Sequence, residues 1–190
     1  MGDDKEAPGK LRLVEEFVNT LDLDDGIDHL ANPADLGAWF AARGLARPDV
    51  VAGPVDVRRA VELREALRAA LLANNGGAPL TDAAISVFNR VGRRARLVVQ
   101  FDDRGKAALE PVTDDLDAAL GRLLAIVRDA MATGQWWRLK ACRSDTCRWA
   151  FFDQSKNHSR HWCSMDVCGS QAKARTYRRR RASDPKAGQT

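Results

Sequence analysis

Apolar residues recur at helical spacing along most of the chain and change to a strand-like pattern near its middle. Val14, Phe17, Val18 and Leu21 follow i, i+3, i+4, i+7 and predict a first helix over about residues 10–21. Asn32 before Pro33 predicts a capped start for a second, because the Asn side chain can accept an orphan N–H and proline loses no useful donor there. Trp39 and Phe40 anchor this helix and Gly44 stops it. Ala60, Leu63, Leu67 and Leu71 mark the buried stripe of a long helix over about 55–74, ended by Asn75-Gly76-Gly77. Thr81 is placed to cap a fourth, with Leu80 and Ile85 at the two positions of a hydrophobic staple. The β-branched and aromatic run Leu97 to Phe101, the turn after it and the segment up to Val112 predict a hairpin, with Pro111 near a strand end or edge. A fifth helix over about 114–133 faces inward through Leu116, Leu120, Leu123, Leu124, Val127 and Met131, and Gly134 ends it.

At 190 residues the chain can hold one good core and a small appendage. We expect a mainly α unit with one β-hairpin over residues 1–137, a small C-terminal module over 138–182 and a flexible tail over 183–190. No apolar run approaches the roughly 18 residues needed to span a membrane. The charged first nine residues lack the pattern of a secretory signal, so a cytoplasmic protein is expected. Charge is divided unevenly: residues 1–137 carry 17 basic and 22 acidic side chains, residues 138–182 carry 12 and 3. A total of +4 therefore conceals a module at +9.

That module also contains every cysteine of the chain, as Cys142-x4-Cys147 and Cys163-x4-Cys168 with fifteen residues between the pairs. In a reducing cytosol such pairs bind metal more often than they form lasting disulfides. The stretch is too short and polar for a core of its own, so four thiolates around one structural Zn2+ would supply the cross-link. Residues five apart lie about 140° out of phase on an α-helix, so Cys163 should precede a helix and Cys168 enter in its first turn. Arg143 to Thr146 read as a turn and Trp149 to Phe152 as a strand, giving a short hairpin followed by a basic helix. His158 and His161 lie between the pairs and compete as ligands, although four cysteines already fill a structural site.

The run from Cys142 to Ser155 and the segment Arg160-His-Trp-Cys-Ser-Met-Asp-Val-Cys-Gly169 resemble the CGNR zinc-finger family of bacterial proteins. In that family the finger follows an ABATE domain, and Phe17-Val-Asn-Thr20, Asp35-Leu-Gly-Ala-Trp39 and Leu63-Arg-Glu-Ala-Leu67 are similar to motifs of that domain. The resemblance implies a transcription regulator. The name-giving tetrapeptide reads Cys168-Gly169-Ser170-Gln171, which keeps the ligand and the glycine and removes a bidentate arginine donor.

Lys173, Arg175, Arg178, Arg179, Arg180 and Arg181 are the candidate nucleic-acid contacts, and four consecutive arginines surround a helix instead of lining one face. Such an arrangement favours phosphate attraction over base reading, and DNA is the expected partner. The rival reading is a zinc-held protein interaction platform without nucleic acid. Trp149, Phe152, Trp162 and Tyr177 are needed mostly as the module's core. In the first unit Asn19, Thr20 and Arg64 are candidate ligand-binding residues for a small-molecule effector, against a plainer reading as helix termination and an ion-paired edge residue. A homo-oligomer is compatible with either. The acidic loop Asp22 to Gly26 fails as a calcium site, having Ile27 and Pro33 where glycine and glutamate are required. His29 beside Asp28 reads as a surface dipeptide, and the absence of a phosphate loop or serine elbow argues against an enzyme.

Overall fold

The computed structural model describes residues 6–174 and residue 177. Helix α1 spans Leu11–Val18 and buries Leu11, Val14, Phe17 and Val18. It is shorter than its apolar spacing predicts, because Leu21 leaves the helix and enters a two-residue ladder, β1 (Leu21–Asp22) with β2 (Ile27–Asp28). The acidic loop is the turn of that ladder, where Asp22 Oδ1 accepts the N–H groups of Asp24 and Asp25. Helix α2 (Pro33–Ala42) starts on Asn32, whose side chain accepts the Asp35 N–H at 3.0 Å. Gly44, at φ +64, takes the left-handed turn that ends it.

Helix α3 (Pro54–Asn74) runs through the centre with Ala60, Leu63, Leu67 and Leu71 buried. Helix α4 (Asp82–Arg94) begins on Thr81, which accepts the Ala84 N–H. The hairpin that follows pairs β3 (Val98–Phe101) with β4 (Ala107–Glu110) in antiparallel register. Helix α5 (Leu116–Ala132) buries Leu116, Leu120, Leu123 and Val127 as expected, but Met131 lies near its open end and is 46% exposed. Ile85 likewise remains 43% exposed.

A 3-10 turn at Trp136–Arg138 leads to β5 (Leu139–Ala141), paired antiparallel with β6 (Ala150–Phe152). These strands do not stand apart from the helices. Leu139, Ala141, Ala150 and Phe152 belong to the same buried cluster as Val14, Phe17, Leu67 and Leu120. The cluster includes three packed aromatic rings, Phe17, Trp39 and Phe40, with centroids 5.2 to 5.9 Å apart. Cys142, Cys147 and Cys168 form a smaller cluster beside it, against Trp149 and Trp162.

Candidate metal centre and the junction that holds it

Cys142 immediately follows β5, and Cys147 lies in a turn where the Cys147 and Arg148 N–H groups both donate to the Ser144 carbonyl. The Cys142 N–H bonds the Trp149 carbonyl at 2.9 Å, which closes the loop above the hairpin. Cys163 precedes a wide π-helical turn, Met165–Gly169, in which the Val167 N–H donates to Ser164 Oγ at 3.3 Å. Cys168 sits in that turn, and residues 170–174 continue as helix. The expected geometry, with one sulfur before the helix and one in its first turn, is the one found. Gly169 fits closely there, since a Cβ would meet Met165 Cε and Sδ at 3.0 Å.

The four Sγ atoms all lie within 4.8 Å of one another, with Cys147 to Cys163 at 3.5 Å and Cys163 to Cys168 at 3.8 Å. A tetrahedron with zinc–sulfur bonds of about 2.3 Å has edges of about 3.8 Å, so these sulfurs fit one ion. Without a cation the set is electrostatically frustrated. Hydrogen bonds from Cys147 and Cys163 lower the Cys142 thiol, whereas its hydrogen bond to Cys142 raises Cys147. Cys163 is raised by Cys142 and Cys147, and Cys168 by burial and then by the Cys142 charge. One thiolate resists company; a divalent ion removes that conflict. The histidines are otherwise engaged: His161 Nδ1 lies 2.8 Å from Asn75 Oδ1, and His158 is exposed with its carbonyl accepting from Lys140. The cysteines thus form a structural zinc site.

Helix α3 supplies the platform for this site from its C-terminal end. Asn74 Nδ2 donates to the carbonyls of Trp136 and Leu139, each at 3.0 Å, and Asn75 Nδ2 donates to those of Ala141 and His161 at 2.8 and 2.9 Å. Arg143 Nε returns a bond to the Asn75 carbonyl at 2.7 Å. Arg68 of the same helix reaches the Val18 carbonyl at 2.8 Å and the Arg148 carbonyl at 3.0 Å. The loop between β6 and Cys163 is organised by a buried ion pair, Lys140 Nζ to Asp153 Oδ2 at 2.7 Å. Asp153 also accepts the N–H groups of Ser155 and Arg160, while Lys140 donates to the His158 and Arg160 carbonyls. Burial pushes the Asp153 carboxyl up, but Lys140 and Ser155 outweigh it and hold the group at about 2.

The sequence signals none of these contacts: Asn75 marks only a helix end, Arg68 carries no motif, and Lys140 and Asp153 stand thirteen residues apart with nothing that pairs them. Asn19 bonds both backbone groups of Ala150, and Thr20 Oγ1 donates to the Phe17 carbonyl. Arg64 is buried, donates twice to Asp28 at 2.7 and 2.9 Å and once to Thr20 at 3.2 Å. Asp28 is therefore more than half of a surface dipeptide: the Arg64 hydrogen bond holds its carboxyl below the ordinary carboxylate range. Between α1, α2 and β6 lies a cavity of about 750 Å³, whose walls include Asn19, Thr20, Trp39, Trp149 and Cys163. Arg64 stands behind it, and Asp28 forms part of the wall.

Of the basic set, Lys173 is exposed in the short helix after the zinc site. Arg175 and Arg178 to Arg181 lie outside the described residues. Phe152 is core and Trp149 and Trp162 cover the cysteines, whereas Tyr177 is 62% exposed. No helix of the described residues is long and apolar enough to cross a membrane.

Fold and site together define a helical protein with a tetrathiolate zinc finger built against its C-terminal side. Residues 11–133 match the ABATE family, described as "putative stress-induced transcription regulator", and the chain belongs to that family. Residues 138–181 match the CGNR zinc finger. No curated protein matches the chain.

Proposed function

We propose that this protein is a transcription regulator that binds DNA through the basic segment following Cys168, with zinc held by Cys142, Cys147, Cys163 and Cys168 as the fixed point from which that segment starts. The observation that supports this most directly is the continuity of the turn Met165–Gly169, which contains Cys168, with the helical residues 170–174, which carry Lys173 outward. The module to which this segment belongs holds twelve basic and three acidic side chains. Lys173, Arg175 and Arg178 to Arg181 would neutralise phosphates, releasing counterions, and the absence of arginine at Gln171 leaves sequence reading to other positions. The description of the ABATE family as a transcription regulator agrees with the reading.

The effector part of the reading rests on the cavity between α1, α2 and β6. Its wall joins Asn19 and Thr20 of the first segment to Trp149 and Cys163 of the finger, so a small molecule held there would touch both. Occupancy would then bias how firmly the finger is held, which is the requirement for coupling two sites.

The test is binding of the zinc-loaded full chain to duplex DNA over a range of salt. Affinity should fall steeply with salt, and changing Arg178 to Arg181 to alanine should lower the salt slope by up to about four, near one per lost phosphate contact. Absence of binding at low salt would favour the protein-platform reading instead. For the effector, a thermal shift with a metabolite pool that disappears in Asn19→Ala would support the cavity, and no shift from any component would remove it.

A further inference from the structure

The hairpin β3–β4 carries an edge that the fold leaves open. Among the described residues β3 pairs only with β4, while β4 also packs against α5. The Asp102 N–H donates to the Lys106 carbonyl at 3.1 Å, which makes 102 and 106 a hydrogen-bonded pair. By the alternation of an antiparallel ladder, residues 98 and 100 then face β4, and Val99 and Phe101 direct their N–H and C=O groups outward. The strand, Val-Val-Gln-Phe, has none of the charges, prolines or bulges that usually protect an edge. On one face Leu97, Val99 and Phe101 form an apolar row, with Val99 55% and Phe101 71% exposed.

We infer that this edge pairs with the same edge of a second copy of the chain, with the dyad at Val99. A twofold perpendicular to the sheet can join only residues of equal parity, so the choice is among a few registers. With the dyad at Val99, Val99 meets Val99 of the second copy and Leu97 meets Phe101 of the second copy, and the apolar row runs unbroken through both molecules. The same register sets Arg96, exposed at φ +50 just before the strand, across from Asp102 of the second copy. Moving the dyad by one residue to Gln100 opposes Val98 with Asp102 of the second copy, placing an apolar side chain against a carboxylate, and leaves Leu97 beside the turn with no strand residue opposite. Moving it the other way, to Val98, brings the buried Ala95 into the pairing and shortens the ladder. Charge complementarity and apolar continuity select one register. The backbone bonds gained are the reciprocal pair at Val99 and one from each Phe101 N–H to the other copy's Leu97 carbonyl, giving a four-stranded sheet.

The experiment is sedimentation of the zinc-loaded full chain from micromolar to several hundred micromolar concentration, paired with amide exchange. A mass that rises from one chain to two is expected, with added protection at Val99 and Phe101 and none at Gln100, which is already bonded to β4. Val99→Lys sets two ammonium groups on the dyad and should raise the dissociation constant at least about tenfold, as like charges directly opposite each other repel. Helical circular dichroism and zinc content should not change. Should Val99→Lys fold poorly, Arg96→Glu provides the second reading, because it faces Asp102 of the second copy with a like charge and should weaken the dimer most at low salt. A chain that stays monomeric throughout overturns the inference, as does a dimer indifferent to both substitutions or one without protection at Val99.

Discussion

The side-chain amide of Asn19 clasps the backbone of Ala150, donating from Nδ2 to its carbonyl at 2.9 Å and accepting its N–H on Oδ1 at 2.7 Å. One residue at the end of α1 thereby satisfies both backbone groups of a fully buried position in β6, 131 residues away. The contact joins the helical part of the chain to the strand that carries the finger.

Asn19→Ala should therefore destabilise the fold by about 2 kcal/mol, since it orphans two buried backbone groups as well as removing bonds. Asn19→Asp should also be destabilising, because a carboxylate can accept from the Ala150 N–H but presents no donor to its carbonyl. Urea unfolding curves of the two variants check this, and values within experimental error of the parent would show that the clasp contributes nothing.

Breaking the Lys140–Asp153 pair should cost more, about 3 to 5 kcal/mol for Asp153→Ala, because it leaves an ammonium buried without its partner. An apolar replacement of both residues should not restore stability, as the Ser155 and Arg160 N–H groups also depend on the Asp153 carboxylate. The sign of the pH dependence follows from a native carboxyl at about 2. Its contribution is fully present above the unfolded value near 4 and disappears as pH falls toward 2. Comparing parent and Asp153→Asn stability across that window should show the gap closing on acidification.

Arg64→Met should lower stability at neutral pH by about 3 kcal/mol, because Asp28 would keep its charge in a half-buried position with no guanidinium. The Asp28 carboxyl is held low by its hydrogen bond from Arg64, so that contribution is present above the ordinary carboxylate value and is lost as pH falls below it. Thermal unfolding of parent and variant should thus converge in acid and separate near neutrality.

Removal of zinc by a strong chelator should loosen the finger without dissolving the helices. Leu139, Ala141, Ala150 and Phe152 are held in the main core, whereas Cys142, Cys147 and Cys168 with Trp149 and Trp162 form the smaller cluster that depends on the ion. Amide exchange should rise over residues 142–149 and 161–174 and remain slow in α1, α3 and α5. Lowering pH should favour release, since zinc is held by thiolates and protons compete with it for the sulfurs. Collapse of far-ultraviolet helicity on chelation would mean that zinc supports the whole chain.

How far the sequence discloses this protein depends on how local each cause is. Asn32, Thr81 and the stop at Gly44 act within a turn of themselves, so their caps can be read directly and occur where they are expected. The spacing of Cys163 and Cys168 is local too, and helix periodicity alone places one sulfur ahead of the turn and the other inside it. The charge division and the identity of the finger also reside in the residue order. Tertiary structure decided everything that depends on a partner distant along the chain: that Asn74 and Asn75 carry the finger, that Asn19 clasps Ala150, that Arg64 turns inward to Asp28, and that Lys140 and Asp153 meet without solvent. A polar side chain looks the same in sequence whether it faces water or a buried carbonyl. Only packing settles which it faces, because burial makes the unpaired alternative costly and forces each such group to find a partner.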